Sequence, residues 1–354
     1  SSPTDLASTT PLLFLTRWIT HICAPVFMVT AGMGAYLYWQ HGGRTRPQLS
    51  WFLATRGVWL IVLELTVMQL AYNFDMSTKY PIFLLVLWVL GACLIVLAAL
   101  IWLPIPLLAS LSVATIVLHH LADGVRAQSF WILLHQVGEF PFAGRRFIAA
   151  YSLVPWCAVM ALGFCLGPVF TWEANARRRF LLRLGIALTT AFLVVRAINI
   201  YGDPSRWAWQ PSATMTVLSF LNTSKYPPSL AFLLMTLGPA CMLLSWLETR
   251  RLPRSNPLIV FGRVPLFYFV LHFLAAHAAI VVVALLRYGT SAMGFMFQPV
   301  PSMGGPAQAF PADFGYELWV AYAAWIAIVT ALYPICRWFA AIKERRRSWW
   351  LSYF

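Results

Sequence analysis

Apolar residues in this chain run in long uninterrupted stretches, without the alternation of a half-buried strand or the narrow stripe of an amphipathic helix. A helix needs about 20 such residues to cross a hydrocarbon core about 30 Å thick. Nine segments meet that measure: 17–38, 52–73, 81–102, 104–121, 148–170, 180–200, 228–247, 264–287 and 316–339. One helix over 82–118 would be about 55 Å long at 1.5 Å per residue, too long for a single crossing. Pro104-Ile105-Pro106 is therefore read as the turn of a hairpin. The pattern predicts an all-α polytopic transmembrane helix bundle of about nine spans, forming a single domain over 1–354.

Composition agrees. The chain is 60% hydrophobic, 16% aromatic and only 10% charged, with a mean hydropathy of +0.73, where soluble domains carry about 25% charge. A water-soluble Rossmann, barrel or disulfide-framework fold is excluded. The six cysteines, Cys23, Cys93, Cys157, Cys165, Cys241 and Cys336, each sit in an apolar run without a CxxC pattern, so they read as packing residues and not as bridges or zinc ligands.

The net charge of +14 does not indicate a nucleic-acid partner, because its sources cluster between spans. One side of the bundle collects Arg44, Arg46, Arg56, Arg177, Arg178, Arg179, Arg183, Arg250, Arg251, Arg254, Arg263, Arg337, Lys343, Arg345, Arg346 and Arg347, against Glu173, Glu248 and Glu344. The other has Arg17, Lys79, Arg126, Arg145, Arg146, Arg196, Arg206, Lys225 and Arg287, nearly balanced by acids. By the positive-inside rule the first side is cytoplasmic. The C-terminus is then inside and Ser1 outside.

An ionisable group within a span costs about 2.5–3.5 kcal/mol on insertion scales, so each asks for a partner or a purpose. Arg17 and His21 are four residues apart on one helix face, and Pro25 removes the bond that the His21 carbonyl would accept. Glu64, about 12 Å along the helix from Arg56, must be neutral or face a polar partner on another helix. Asp123 lies three residues from His120 and four from His119, so it can orient either imidazole. His272 and His277, five apart, are rotated about 140° from each other, unlike a helical zinc pair, and no metal is expected. Lys225 and Tyr226 stand before Pro227-Pro228, at the start of a helix whose N-terminus attracts an anion or a hydroxyl. For each position a bland role, an interfacial anchor or a satisfied core residue, remains open. No Walker A loop, GxSxG elbow, HExxH or EF-hand pattern occurs.

Several stretches carry a likeness to a known family: Phe14-Leu15-Thr16-Arg17-Trp18 leading to Cys23-Ala24-Pro25-Val26-Phe27, Leu87-Trp88 before Gly91, Pro155-Trp156 ahead of Gly163 and Gly167, and Asn222 to Pro228. Asn256-Pro257-Leu258, Phe261 to Phe267, Leu332-Tyr333-Pro334 and Trp349-Trp350-Leu351-Ser352-Tyr353 complete it. The chain resembles membrane proteins related to the catalytic region of heparan-alpha-glucosaminide N-acetyltransferase, with bacterial members. That resemblance implies an integral protein of a bacterial inner membrane and transfer of an acyl group from cytosolic acetyl-CoA or another acyl-CoA, without a metal. The acceptor, an amino sugar in the animal enzyme, is carbohydrate-like and lies on the opposite side of the membrane. The resemblance further implies an earlier helix with an Arg-Gly and an Asp-His pair, so ten spans are expected in the intact protein.

Acyl transfer needs a base, oxyanion donors and cations for the CoA phosphates. On this reading Arg251, Arg254 and Arg263 hold the phosphates, and His272, His277 or His21 serves as base or acyl carrier. Arg17, His120, Asp123, Lys225 and Tyr226 line the acceptor site. The partners expected are the lipid bilayer and the acceptor, with oligomerisation left open. A secondary transporter using Glu64 and Arg196, or a non-catalytic membrane scaffold, are the alternatives.

Overall fold

The structure, a computed structural model, describes residues 3–77, 79–125, 130–297, 309–346 and 351. Thr78, Arg126, Arg347, Trp349, Trp350, Ser352 and Tyr353 lie outside the described residues. Among those described, eight helices are long and apolar enough to cross a membrane: Pro11–His41, Arg46–Asn73, Ile105–Ala122, Leu153–Thr171, Ala174–Ile198, Leu230–Leu247, Pro265–Met296 and Leu318–Arg345. The chain is an all-α polytopic bundle and an integral membrane protein.

The remaining predicted span, 81–102, is shorter than expected. Its helix, Val86–Leu100, has 15 residues, about 22 Å, because Ile82–Leu84 forms a strand. The cause lies in a buried side chain. Gln69 Nε2 donates to the Phe83 carbonyl at 2.9 Å and its Oε1 accepts the Phe83 N–H at 3.2 Å, so the amide imitates a neighbouring strand and holds Phe83 extended. The strand belongs to a three-stranded sheet whose other members are Gly138–Phe142 and Arg145–Ala149, with the last in the middle.

The chain divides into two compact units. The first comprises Ser1–Ile61, Leu84–Phe142 and Phe147–Arg250. In it α1 (Pro11–Ile19) starts at Thr10, whose hydroxyl accepts the Leu13 N–H, and passes through a 3₁₀ turn, Thr20–Ile22, into α2 (Cys23–His41). The tightened turn ends three residues before Pro25, which cannot donate a helical bond. α3 (Arg46–Leu63), β1 (Ile82–Leu84), α5 (Val86–Leu100), α6 (Ile105–Leu118), α7 (Phe130–Leu134), β2 (Gly138–Phe142) and β3 (Arg145–Ala149) precede α8 (Leu153–Leu166). α4 is the short helix Gln69–Asn73 of the second unit. Helices α5 and α6 separate at Pro104, as the hairpin reading requires.

Helix α8 is the hub of this unit, packed by α2, α5 and α6, and its Trp156, Val159 and Met160 are fully buried. It meets α2 through glycines. A Cβ on Gly32 would strike the Met160 carbonyl, and one on Gly163 the Val29 carbonyl, so the backbones touch as small-residue membrane interfaces allow. Gly34, also expected to permit close packing, faces open space. α9 (Ala174–Ile198) and α11 (Leu230–Leu247) pair in the same way at Gly185 and Gly238, with α10 (Ala213–Leu221) between them in sequence.

The second unit comprises Val62–Phe83, Ala143–Arg146 and Arg251–Phe354. A π-helical turn, Glu64–Met68, leads into α4, which ends at Phe74 in the left-handed conformation (φ 50°). α12 (Pro257–Arg263), α13 (Pro265–Tyr288), α14 (Ala292–Met296) and α15 (Leu318–Arg345) follow. Val260, Val264, Cys336 and Phe339 form a core between α12, α13 and α15, where Phe267 stacks on Phe339 at 4.1 Å.

Candidate functional site

In the first unit the polar residues of the first span converge with those before α11. His21, 3% exposed, packs edge-on against Phe232 of α11, 5.5 Å between ring centres. Its Nδ1 is buried without a hydrogen-bond partner among the described residues. The charges of Lys225 and Arg17 act on it. Lys225 Nζ lies 5.2 Å from the Tyr226 ring centre, and the Tyr226 hydroxyl meets that of Tyr151 at 3.4 Å. Burial pushes the Tyr226 phenol up, but Lys225, the Tyr151 hydrogen bond and Arg17 together outweigh it and hold the phenol below its ordinary value.

A buried ionic scaffold sets Lys225 and Tyr226 in place. Arg196, 2% exposed, donates to the carbonyls of Ser205, Phe220, Ser219 and Asn222 at 2.7–3.1 Å, which include carbonyls at the C-terminal end of α10. Asp203, 4.0 Å from Arg196, accepts the Ser224 N–H at 3.0 Å and the Ser229 hydroxyl at 2.6 Å. The segment bearing Lys225 and Tyr226 is thus clamped on both sides. Such a fully satisfied charge is a structural element, so Arg196 serves the scaffold.

Beyond α6 the histidines form a second cluster. His120 Nδ1 donates to Asp123 Oδ2 at 2.7 Å, and its Nε2 accepts the Leu230 N–H at 3.1 Å, so both ring nitrogens are engaged. His119 instead donates from Nδ1 to the Ile116 carbonyl at 2.9 Å, leaving its buried Nε2 without a partner among the described residues. The other Asp123 oxygen accepts from Nε2 of His135 at 2.9 Å. His135, 2% exposed, has no spacing that would mark it in the sequence, since it stands twelve residues from Asp123. Burial pushes the Asp123 carboxyl up, but the two imidazole hydrogen bonds outweigh it and hold it below the ordinary carboxylate value.

The second unit holds the other candidates. His277 donates from Nδ1 to the Ala71 carbonyl at 2.8 Å and lies flat on Phe74, 4.1 Å between centres, with its Nε2 buried and without a partner among the described residues. His272 bonds the Tyr268 carbonyl of its own helix at 3.2 Å among Tyr268, Phe269 and Phe273. The two imidazoles therefore keep separate surroundings. Glu64 accepts from Tyr72, on its own span, at 3.2 Å. Arg254 and Arg263 meet the two oxygens of Glu344 at 2.9 and 3.1 Å, and Arg251 is exposed. Exposed pairs are worth about 0–1 kcal/mol, so an incoming anion can compete for them. Among the described residues no group of three or more His, Cys, Asp or Glu is arranged to hold a metal ion.

The family model described as heparan-alpha-glucosaminide N-acetyltransferase, catalytic, matches residues 5–205, more than half of the 354. The chain belongs to this family. No curated protein and no solved structure matches it. The heparan-alpha-glucosaminide N-acetyltransferase catalytic family is one of transmembrane acetyltransferases, and the matched stretch contains Arg17, His21, His119, His120, Asp123 and His135. It stops short of Lys225, Tyr226, Arg251, Arg254, Arg263, His272 and His277, so for those residues the family match carries no weight.

Proposed function

We propose that this member of the family passes an acyl group from cytosolic acyl-CoA to a carbohydrate-like acceptor on the opposite side of a bacterial inner membrane, with its basic face and C-terminus in the cytoplasm. The observation that carries the reading is the unpartnered Nδ1 of buried His21, under the charges of Lys225 and Arg17, with Arg17 and His21 inside the family-matched stretch.

In this reading the acceptor amine or hydroxyl attacks the thioester carbonyl. Its proton passes to His21 Nδ1, the new C–N or C–O bond forms, and the C–S bond breaks. The proton then returns from His21 to the CoA thiolate, leaving enzyme, acylated acceptor and free CoA. Arg17 and Lys225 place positive charge where the tetrahedral oxyanion develops, and the Tyr226 hydroxyl can donate to it. The same charges disfavour a protonated amine, so an amino acceptor is held in its nucleophilic form. His120 and Asp123 orient the start of α11. Arg251, Arg254 and Arg263 take the CoA phosphates, exchanging weak contacts with Glu344 for stronger ones with phosphate.

His272 and His277 are the rival bases, and His277 is the stronger of the two because its Nε2 has no partner among the described residues. The transporter reading loses support where Arg196 is occupied by the scaffold. Transfer of labelled acetyl from acetyl-CoA, measured in membranes for His21→Ala, His272→Ala and His277→Ala separately, tests the assignment. Loss of about 10²–10⁴-fold confined to His21→Ala supports it. Loss confined to His277→Ala moves the base to the second unit, and unchanged transfer by all three variants removes His21, His272 and His277 from the mechanism.

A further inference from the structure

We propose that the Ala174 end of α9 carries a site for the headgroup of an anionic phospholipid, formed by Arg179 and Arg183. The inference does not rest on acyl transfer and uses none of the residues assigned to it.

Successive residues of an α-helix are rotated by about 100°, which places Arg179, Arg183, Ile186, Leu193 and Val194 within one sector about 100° wide. All five are exposed. Leu181, Gly185, Phe192 and Arg196 occupy the opposite side and are buried, and there Gly185 meets α11. The two arginines thus share their stripe with the lipid-facing side chains of a membrane span, whereas ionisable residues in spans ordinarily face the bundle interior.

Depth sharpens the anomaly. α9 has 25 residues and ends at Ile198, beyond which Asn199 turns left-handed. About 20 residues of helix cover a hydrocarbon core about 30 Å thick. Counted back from Ile198, they reach Arg179 and leave Arg183 one turn, about 6 Å, within the core. A guanidinium on the lipid face at that depth is costly unless its stem extends back to a phosphate at the boundary.

The protein does not meet that need itself. Arg177 spends its charge on Glu248 in two hydrogen bonds at 2.7 and 2.6 Å, but Arg179 and Arg183 make no hydrogen bond or ion pair among the described residues. Four residues apart, they lie one above the other, and two forked guanidiniums can share the oxygens of one phosphodiester. Their charges also choose among lipids. A zwitterionic headgroup brings an ammonium that two arginines repel, and an anionic headgroup brings none.

Native mass spectrometry of the full chain in detergent, titrated with phosphatidylglycerol or with phosphatidylcholine, resolves each lipid that binds. The first phosphatidylglycerol should bind at least about tenfold more tightly than phosphatidylcholine. Arg179→Gln and Arg183→Gln should each weaken it about fivefold, and the two together about 20-fold. Arg178→Gln removes the same charge from an exposed position about 140° away from Arg183 around the helix, and should leave binding nearly unchanged. Arg183→Lys keeps the charge without the fork, so it should fall between the parent and Arg183→Gln, and it serves where a glutamine variant does not fold. Equal binding of the two lipids, a loss in Arg178→Gln as large as in Arg183→Gln, binding that none of the variants alters, or displacement of the lipid by inorganic phosphate would overturn the proposal. Because the readout is lipid binding, it stands or falls apart from acetyl transfer.

Discussion

Nε2 of His120 accepts the backbone N–H of Leu230 across 3.1 Å. An amide N–H only donates, so the ring proton sits on Nδ1 and points at Asp123. A histidine at the end of α6 thereby satisfies one of the free donors at the start of α11. Replacing His120 with Phe strands that buried N–H and should destabilise the protein by about 1–3 kcal/mol. Gln, whose amide oxygen can accept, should recover part of it. Thermal unfolding of the purified protein in detergent checks this, and a Phe variant as stable as the parent would reject the assignment.

Asp123 makes the same joint sensitive to acid. Its carboxyl is held below the ordinary value, so its contribution to stability is complete above about pH 4 and is lost as pH falls through the lower folded value. Asp123→Asn should flatten the acid limb of the stability curve while leaving its slope near neutrality unchanged. Unfolding midpoints measured from pH 3 to 7 decide the matter.

The α2–α8 contact predicts a sharp contrast between neighbouring glycines. Gly32→Ala drives a methyl group into the Met160 carbonyl, whereas Gly34→Ala enters open space. The first should cost about 1–3 kcal/mol or more through overpacking. The second should be neutral or stabilising by up to about 1 kcal/mol, since Ala favours the helix. Equal melting temperatures for the two variants would contradict the packing.

Tyr226 offers a spectroscopic test of the positive site. One of the 13 tyrosines should ionise below the ordinary value, visible as phenolate absorbance during alkaline titration. Tyr226→Phe should remove that step and Lys225→Met should move it upward, because Lys225 is the largest of the influences that lower it.

The spans were legible because bilayer thickness fixes the length of an apolar run, and the Pro104 hairpin because proline ends helices. Arg17 beside His21 could be read from a four-residue spacing, and His120 beside Asp123 from three. Lys225 joining the first pair could not, since its position is set by Arg196 and Asp203 holding a loop through carbonyls and serines. His135 gave no local signal either. The shortened third span was hidden because a side-chain amide, Gln69, does the work of a strand at Phe83. The bond between Tyr72 and Glu64 was hidden for a related reason. Residues eight apart on a regular helix point about 80° away from each other, and the wider turn at Glu64–Met68 changes that phase before Tyr72 is reached.

That wider turn acts as a phase shifter for everything downstream in its span. Deleting one residue from it would restore ordinary helical winding and swing Gln69, Tyr72 and Asn73 by about 100°. The clasp on Phe83, the bond to Glu64 and the burial of Asn73 would be lost together, although none of their side chains had been touched. In this stretch chain length, more than residue identity, is what the architecture cannot yield.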